Sequence, residues 1–299
     1  VGPDARITAD AIETGNGGKV IIWADGDTRY FGSISADGGD RSGNGGMAEV
    51  SGKENLTFAG FVTLAAPRGK VGSLLLDPGD LYITAGAAPG APAVNPTEVT
   101  GPFTASPSTD DFYASATNIQ NVVGDVTLLA DQNVIFQASL LMGAASANVF
   151  VEATNAAIQF NGNSITTNAN GNITLTPATN ISDIGRLNAG SANVTMTAGG
   201  TVTQTATGVI SATTLELKGA GATYLLGAAN NAVTNLIADT HTLGGLVFKD
   251  NSGFEVQGIK ASNNVTLDSA GTVTQTKAIS ADGLELIGGG IFELASVDN

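Results

Sequence analysis

Short runs in which apolar and polar residues alternate recur along this chain at nearly even spacing. They begin at Asp125, Asn148, Asn172, Asn193, Thr214, Asn235, Asn264 and Gly283, with successive offsets of 23, 24, 21, 21, 21, 29 and 19 residues. In each run the second and fourth residues are apolar or small and the third is mostly polar, the period-2 signature of a strand with one buried face. Stacking the runs in register predicts one inward row through Val126, Val149, Ile173, Val194, Leu215, Leu236, Val265 and Leu284. A second inward row runs through Leu128, Val151, Leu175, Met196, Leu217, Ala238, Leu267 and Leu286, while Thr127, Thr174, Thr195, Glu216, Thr266 and Glu285 face solvent.

A longer repeat lies over the short one. NVTMTAGGTVTQT at 193–205 returns 71 residues later as NVTLDSAGTVTQT, nine of thirteen positions identical, and ISATTLEL at 210–217 returns as ISADGLEL at 279–286. Such repeats mark a supersecondary unit that buries its apolar face on its neighbour. Coils this short cannot hold a strand, a crossover helix and a second strand, which need roughly 30 residues or more. The pattern therefore predicts an all-β fold, a parallel β-helix (β-solenoid) of roughly a dozen coils rising ~4.8 Å each. Antiparallel sandwiches also space short strands evenly but have no reason to keep a fixed long period. On this reading the 71-residue repeat spans three coils.

Three segments follow. Residues 1–84 read as irregular, longer coils of the same solenoid, because GKVIIWA from 18, GMAEVS from 46 and GSLLLD from 72 start 28 and 26 residues apart, with Gly/Asn/Asp corners between them. Residues 85–124 read as a Pro/Ala-rich surface loop holding five of the nine prolines, each without a ladder donor. Within it, 109–123 offers a Thr or Asp cap and apolar Phe112, Ala116, Ile119 and Val123 at helical spacing, which predicts a short helix. Residues 125–299 carry the regular coils.

The stretch GGKVIIWADG from 17, followed by TRYFGSISADGG from 28, GNGGMAEVSGKE from 43 and GSLLLDP from 72, resembles the repeat region of large filamentous-haemagglutinin-like exoproteins, the passengers of bacterial two-partner secretion. The later GTVTQT and LEL repeats resemble downstream portions of the same proteins. The resemblance implies a right-handed β-helical shaft, secreted to the extracellular or bacterial cell surface as part of an adhesin or surface fibre. The Asn-Pro-Asn-type motif of that family's amino-terminal secretion module is not met by Asn95-Pro96-Thr97, so the chain is expected to be an internal or processed segment of a longer polypeptide.

Composition narrows the partners. Charged residues make up 13% and hydrophobic ones 42%, which is not the mixture of a disordered chain. A net charge of -15, with 12 scattered cations, excludes a phosphate-binding stripe and hence a nucleic-acid partner. Cys is absent, no stretch approaches the roughly 20 apolar residues of a membrane helix, and Val1–Asp4 is no signal peptide.

Candidate chemistry is sparse. Polysaccharide lyases and hydrolases also use β-helices, but their chemistry needs clustered carboxylates with a cation or His beside them. Asp110-Asp111 is a carboxylate pair that helix-dipole stabilisation also explains, and His241, the sole histidine, stands in no catalytic pattern. Asp25, Asp27, Asp37, Asp40, Asn44 and Asp250-Asn251 are hard oxygen ligands suited to Ca2+, in spacings that match neither an EF-hand nor a calcium-roll repeat. The same residues are ordinary turn formers. Asn55, Asn172, Asn180, Asn193 and Asn264 begin glycosylation-type Asn-x-Ser/Thr patterns, which Asn corners and outward hydroxyls also generate. Trp23, Tyr30 and Phe31 offer either an aromatic sugar platform or core filling. Gln204 and Gln275 mark equivalent places in the long repeat.

No catalytic, cofactor or metal residue is assigned. The expected function is a non-enzymatic structural and adhesive shaft, with head-to-tail self-association, adjoining segments or a cell-surface glycan as partners. A glycan-active or glycan-binding β-helix protein is the alternative, to be recognised by carboxylates in a groove on one lateral face.

Overall fold

The computed structural model describes residues 1–85, 113–145, 147–168 and 170–295, and these form about 11 stacked parallel coils with almost no helix. The fold is therefore the β-solenoid that the alternating runs require. It divides into two compact units, Val1–Glu152 and Ala153–Asn299.

In the first unit the early coils have three sides. Strands β1 (Arg6–Thr8), β2 (Lys19–Ala24), β3 (Asp27–Tyr30) and β4 (Ser33–Ser35) are followed by β5 (Met47–Gly52), β6 (Asn55–Phe58) and β7 (Phe61–Thr63), then β8 (Ser73–Asp77) and β9 (Leu81–Thr84). Like pairs with like, in parallel: β1–β4–β7 on one side, β2–β5–β8 on another and β3–β6 on the third. Lys19 faces Met47 and Met47 faces Ser73, so these coils have the 28- and 26-residue lengths that the Gly-rich starts predicted. Inside, Val50, Leu74, Leu76 and Ile83 are fully buried, and Tyr30 stacks on Phe58 with ring centroids 5.6 Å apart. The Tyr30 hydroxyl donates to the Phe61 carbonyl oxygen at 3.1 Å, which lets a phenol sit in the core. Gly43 turns one corner at φ 129, with its α-carbon so close to the coil below that a β-carbon would lie 1.7 Å from the Gly15 carbonyl oxygen.

Strand β10 (Ala114–Ser115) and helix α1 (Ala116–Gln120) follow, then β11 (Asp125–Ala130) rejoins the β2–β5–β8 side on β8. The helix starts later than the spacing of apolar residues implied. Ala114 and Ser115 are paired as a strand with Ile83 and Thr84, so helical geometry begins only after them, and the cap is Ser115, whose hydroxyl accepts the Asn118 N–H. Ile119 is the buried anchor. The expected Thr109 or Asp cap, Phe112 and most of the Pro/Ala-rich loop lie outside the described residues.

The second unit buries the expected inward positions except Leu284 and Leu286, which are 40% and 39% exposed, and it corrects their arrangement. Val194, Leu215, Leu236 and Val265, with Met196, Leu217, Ala238 and Leu267, are all 0% exposed. Yet they do not form one pair of rows. Ile173, Val194, Leu215, Leu236 and Val256 succeed one another on one side, 21, 21, 21 and 20 residues apart. Val265 instead follows Val202, Tyr224 and Leu246 on another side and is followed by Leu284. The 29-residue offset before Asn264 exceeds one coil by about half its length, so it carries the motif onto the next face. The two copies of the 71-residue repeat therefore face different sides, and the repeat is not three whole coils.

Candidate functional site

The corner residues are engaged in holding coil to coil. Asp10 Oδ1 accepts the Asp37 N–H at 2.7 Å, and Asp37 Oδ1 accepts the Ala65 N–H at 2.7 Å. Asn16 and Asn44 repeat the device, their side-chain oxygens taking the N–H groups of Asn44 and Lys70 at 2.8 and 2.9 Å. Asp27 accepts a hydrogen bond from the Asn55 amide, while the side-chain oxygens of Asn172 and Asn180 accept from the N–H groups of Asn193 and Thr201. Several of the hard oxygen ligands suited to Ca2+ are thus acceptors within the fold, while Asp25 and Asp40 are exposed. Among the described residues no group of three or more His, Asp or Glu is placed to hold a metal ion.

A buried polar column, which the sequence pattern did not reveal, runs inside the second unit. Gln204, Asn231, Asp250 and Ser269 are 7%, 0%, 1% and 0% exposed. Asn231 Oδ1 accepts from Ile210 N and from the Gln204 amide at 2.8 and 3.0 Å, and its own amide donates to the carbonyls of Leu226 and Lys249, each at 3.0 Å. Asp250 accepts from the Val233, Ser252 and Gly253 N–H groups and from the Ser252 hydroxyl. Burial pushes its carboxyl up, and these four donors oppose that. The column braces the core and is closed to solvent.

Of the other flagged residues, His241 is exposed on a strand of the second unit, and Asp110-Asp111 lies outside the described residues. Gln275 sits on the side that carries Val256, away from Gln204. Tyr30 is in the core while Trp23 is 53% exposed on the outer face of β2, so they form no shared platform. Among the glycosylation-type patterns, Thr57 is 1% exposed, whereas Asn193 and Asn264 are exposed.

Two lateral features of the first unit remain. On the β2–β5–β8 side, Trp23, Ser51 and Asp77 share a row, with Glu49 on the middle strand beside it. Burial raises the Asp77 carboxyl, and the carboxylates of Glu49, Asp131 and Glu152 raise it further.

The second feature is a groove of about 380 Å³ over β1, β4 and β7. Pairing sets two outward rows, Arg6–Ser33–Phe61 and Thr8–Ser35–Thr63. Phe61 is 60% exposed, and Val123, from the segment after α1, stands 38% exposed at the same wall with Asn121. The Ser35 hydroxyl donates to Asp10 at 2.6 Å and the Thr63 hydroxyl to Asp37 at 2.9 Å, so the hydrogen of each hydroxyl is engaged. Arg6 is exposed and takes part in none of the four ion pairs of the described residues.

No family model matches the chain, and no curated protein matches it either. Among the described residues, no helix is long and apolar enough to cross a membrane.

Proposed function

We propose that the chain is a structural and adhesive β-helical segment of a secreted bacterial surface exoprotein of the filamentous-haemagglutinin-like kind. One observation carries this reading: side-chain hydrogen bonds join successive coils at recurring corners, as in Asp10 to Asp37 to Ala65 and Asn16 to Asn44 to Lys70. Such bracing adds stiffness along the stack to what the inward aliphatic rows supply, and it employs residues that an enzyme would keep free. Leu284 and Leu286, which continue the inward pattern, are 40% and 39% exposed, and a further coil of the same polypeptide or of another copy would cover them.

Antibody raised to the purified chain, applied to intact producing cells, tests the proposal. Surface labelling that external protease removes is the expected result. Labelling that appears only after lysis overturns it.

A further inference from the structure

We infer that the groove over β1, β4 and β7 binds an acidic oligosaccharide, with Arg6 holding a uronate carboxylate and Phe61 stacked on the face of a neighbouring sugar ring. The charge argument comes first. Among the described residues that line this groove, the guanidinium of Arg6 is the only charged side chain, while the carboxylates of Asp10 and Asp37 stand behind its floor, each already accepting one hydroxyl and one backbone N–H. It belongs to no ion pair among the described residues, and its planar fork matches a carboxylate in two parallel hydrogen bonds.

The floor fits a polyol. Ser35 and Thr63 donate their hydroxyl hydrogens in hydrogen bonds to Asp10 and Asp37, so each oxygen can accept a hydrogen bond from a sugar hydroxyl. Thr8 and Ser33 add two more hydroxyls in the same rows, and these can donate or accept. An alternation that buries Ile34, Val62 and Leu64 would ordinarily place a polar residue at position 61. Phe61 instead exposes 60% of its surface there, beside Val123, as the apolar C–H face of a pyranose requires. Arg6 and Phe61 are separated by two strand spacings, ~10 Å, which suits adjacent units of an oligosaccharide better than one small anion. This site goes beyond the structural role and stands whether or not the chain is exported.

Isothermal titration calorimetry of the full chain with tetrasaccharides of galacturonate, glucuronate and mannuronate, each beside its carboxyl-reduced counterpart, tests the inference. Saturable binding of at least one uronate is expected, weakened about tenfold or more by carboxyl reduction, since a charge-assisted pair is lost. Arg6→Gln should weaken the uronate by a similar factor and leave the reduced sugar unchanged. Phe61→Ala should weaken both, and Phe61→Trp should retain both. Absence of saturable binding for the whole panel overturns the inference, as does a uronate bound equally well after carboxyl reduction. Because the reduced sugars probe the unaltered protein, a variant that fails to fold does not spoil the test.

Discussion

Asn231→Ala should destabilise the second unit by ~3 kcal/mol, although it removes no apolar contact of consequence. Asn231 is fully buried and accepts the Ile210 N–H at 2.8 Å while donating to the carbonyls of Leu226 and Lys249. Alanine cannot replace any of these bonds. An orphaned buried N–H costs ~1–3 kcal/mol, and two carbonyls that each lose a donor add a smaller amount. Gln204 suffers less, because its amide also donates to the Gly208 carbonyl. For a unit of this size each kcal/mol moves the midpoint by ~2–4 °C, so the melting temperature should fall by ~6–12 °C. Asn230→Ala, at the exposed neighbouring position, should change it by less than ~0.5 kcal/mol. Thermal melting followed by far-UV circular dichroism gives the magnitude, and hydrogen exchange at the Ile210 amide gives the location. An Asn231→Ala protein that melts with the parent and keeps Ile210 protected would refute the claim that the polar column supports the core.

Two further perturbations separate effects that look alike in sequence. The Asp77 carboxyl is raised above 3.8 in the folded protein, so between that value and the raised one the folded state holds a proton the unfolded chain has released. Its contribution is full at low pH and is lost as pH rises through the raised pKa. Asp77→Asn should therefore raise the melting temperature at neutral pH and flatten its decline above pH 3.8, and an unchanged pH profile would count against the carboxylate row. Gly43→Ala and Gly162→Ala both place alanine at positive φ, but only at Gly43 does the new β-carbon strike the neighbouring coil, whereas at Gly162 nothing lies within 4 Å. Gly162→Ala should cost ~1 kcal/mol, and Gly43→Ala should lose several times more or fail to give folded protein, as read from soluble yield and melting midpoint.

The inward positions were legible because burial of one strand face imposes a period of two, and because a coil must repeat its length to stay in register. That is why Val194, Leu215 and Leu236 fall where alternation places them. The side on which Val265 packs was not legible from similarity, since NVTM and NVTL satisfy a strand equally well on any face. Only the 29-residue offset carried that information. Gln204 was read as a repeat marker and Asp250 as a turn residue, and Asn231 drew no reading, because a buried polar group is recognisable only with its partners, and those that tie one coil to the next lie 17 to 27 residues away. The groove left a fainter trace. Residues 61–64 alternate with Val62 and Leu64 inward, so Phe61 was visible as an apolar residue in an outward position, but the Arg6 row across from it depends on pairing between coils.

The solenoid makes such exceptions informative. Its inward positions are fixed by packing and its corners by hydrogen bonds from one coil to the next, so neither class is free to answer to a ligand. Outward positions in mid-strand are constrained only by solubility and strand propensity, which Thr satisfies at 127, 174, 195 and 266. A large aromatic or an unpaired cation there has no structural reason to exist and carries a cost in exposed apolar surface or unbalanced charge. Phe61 and Arg6 depart from the Thr pattern on the same face and two strands apart, and in the neighbouring row the Ser35 and Thr63 hydroxyls are oriented by carboxylates that already serve the corners. Corner bracing and ligand presentation thus share Asp10 and Asp37, so substituting either should weaken saccharide binding and stability together, whereas Arg6 and Phe61 should affect binding alone.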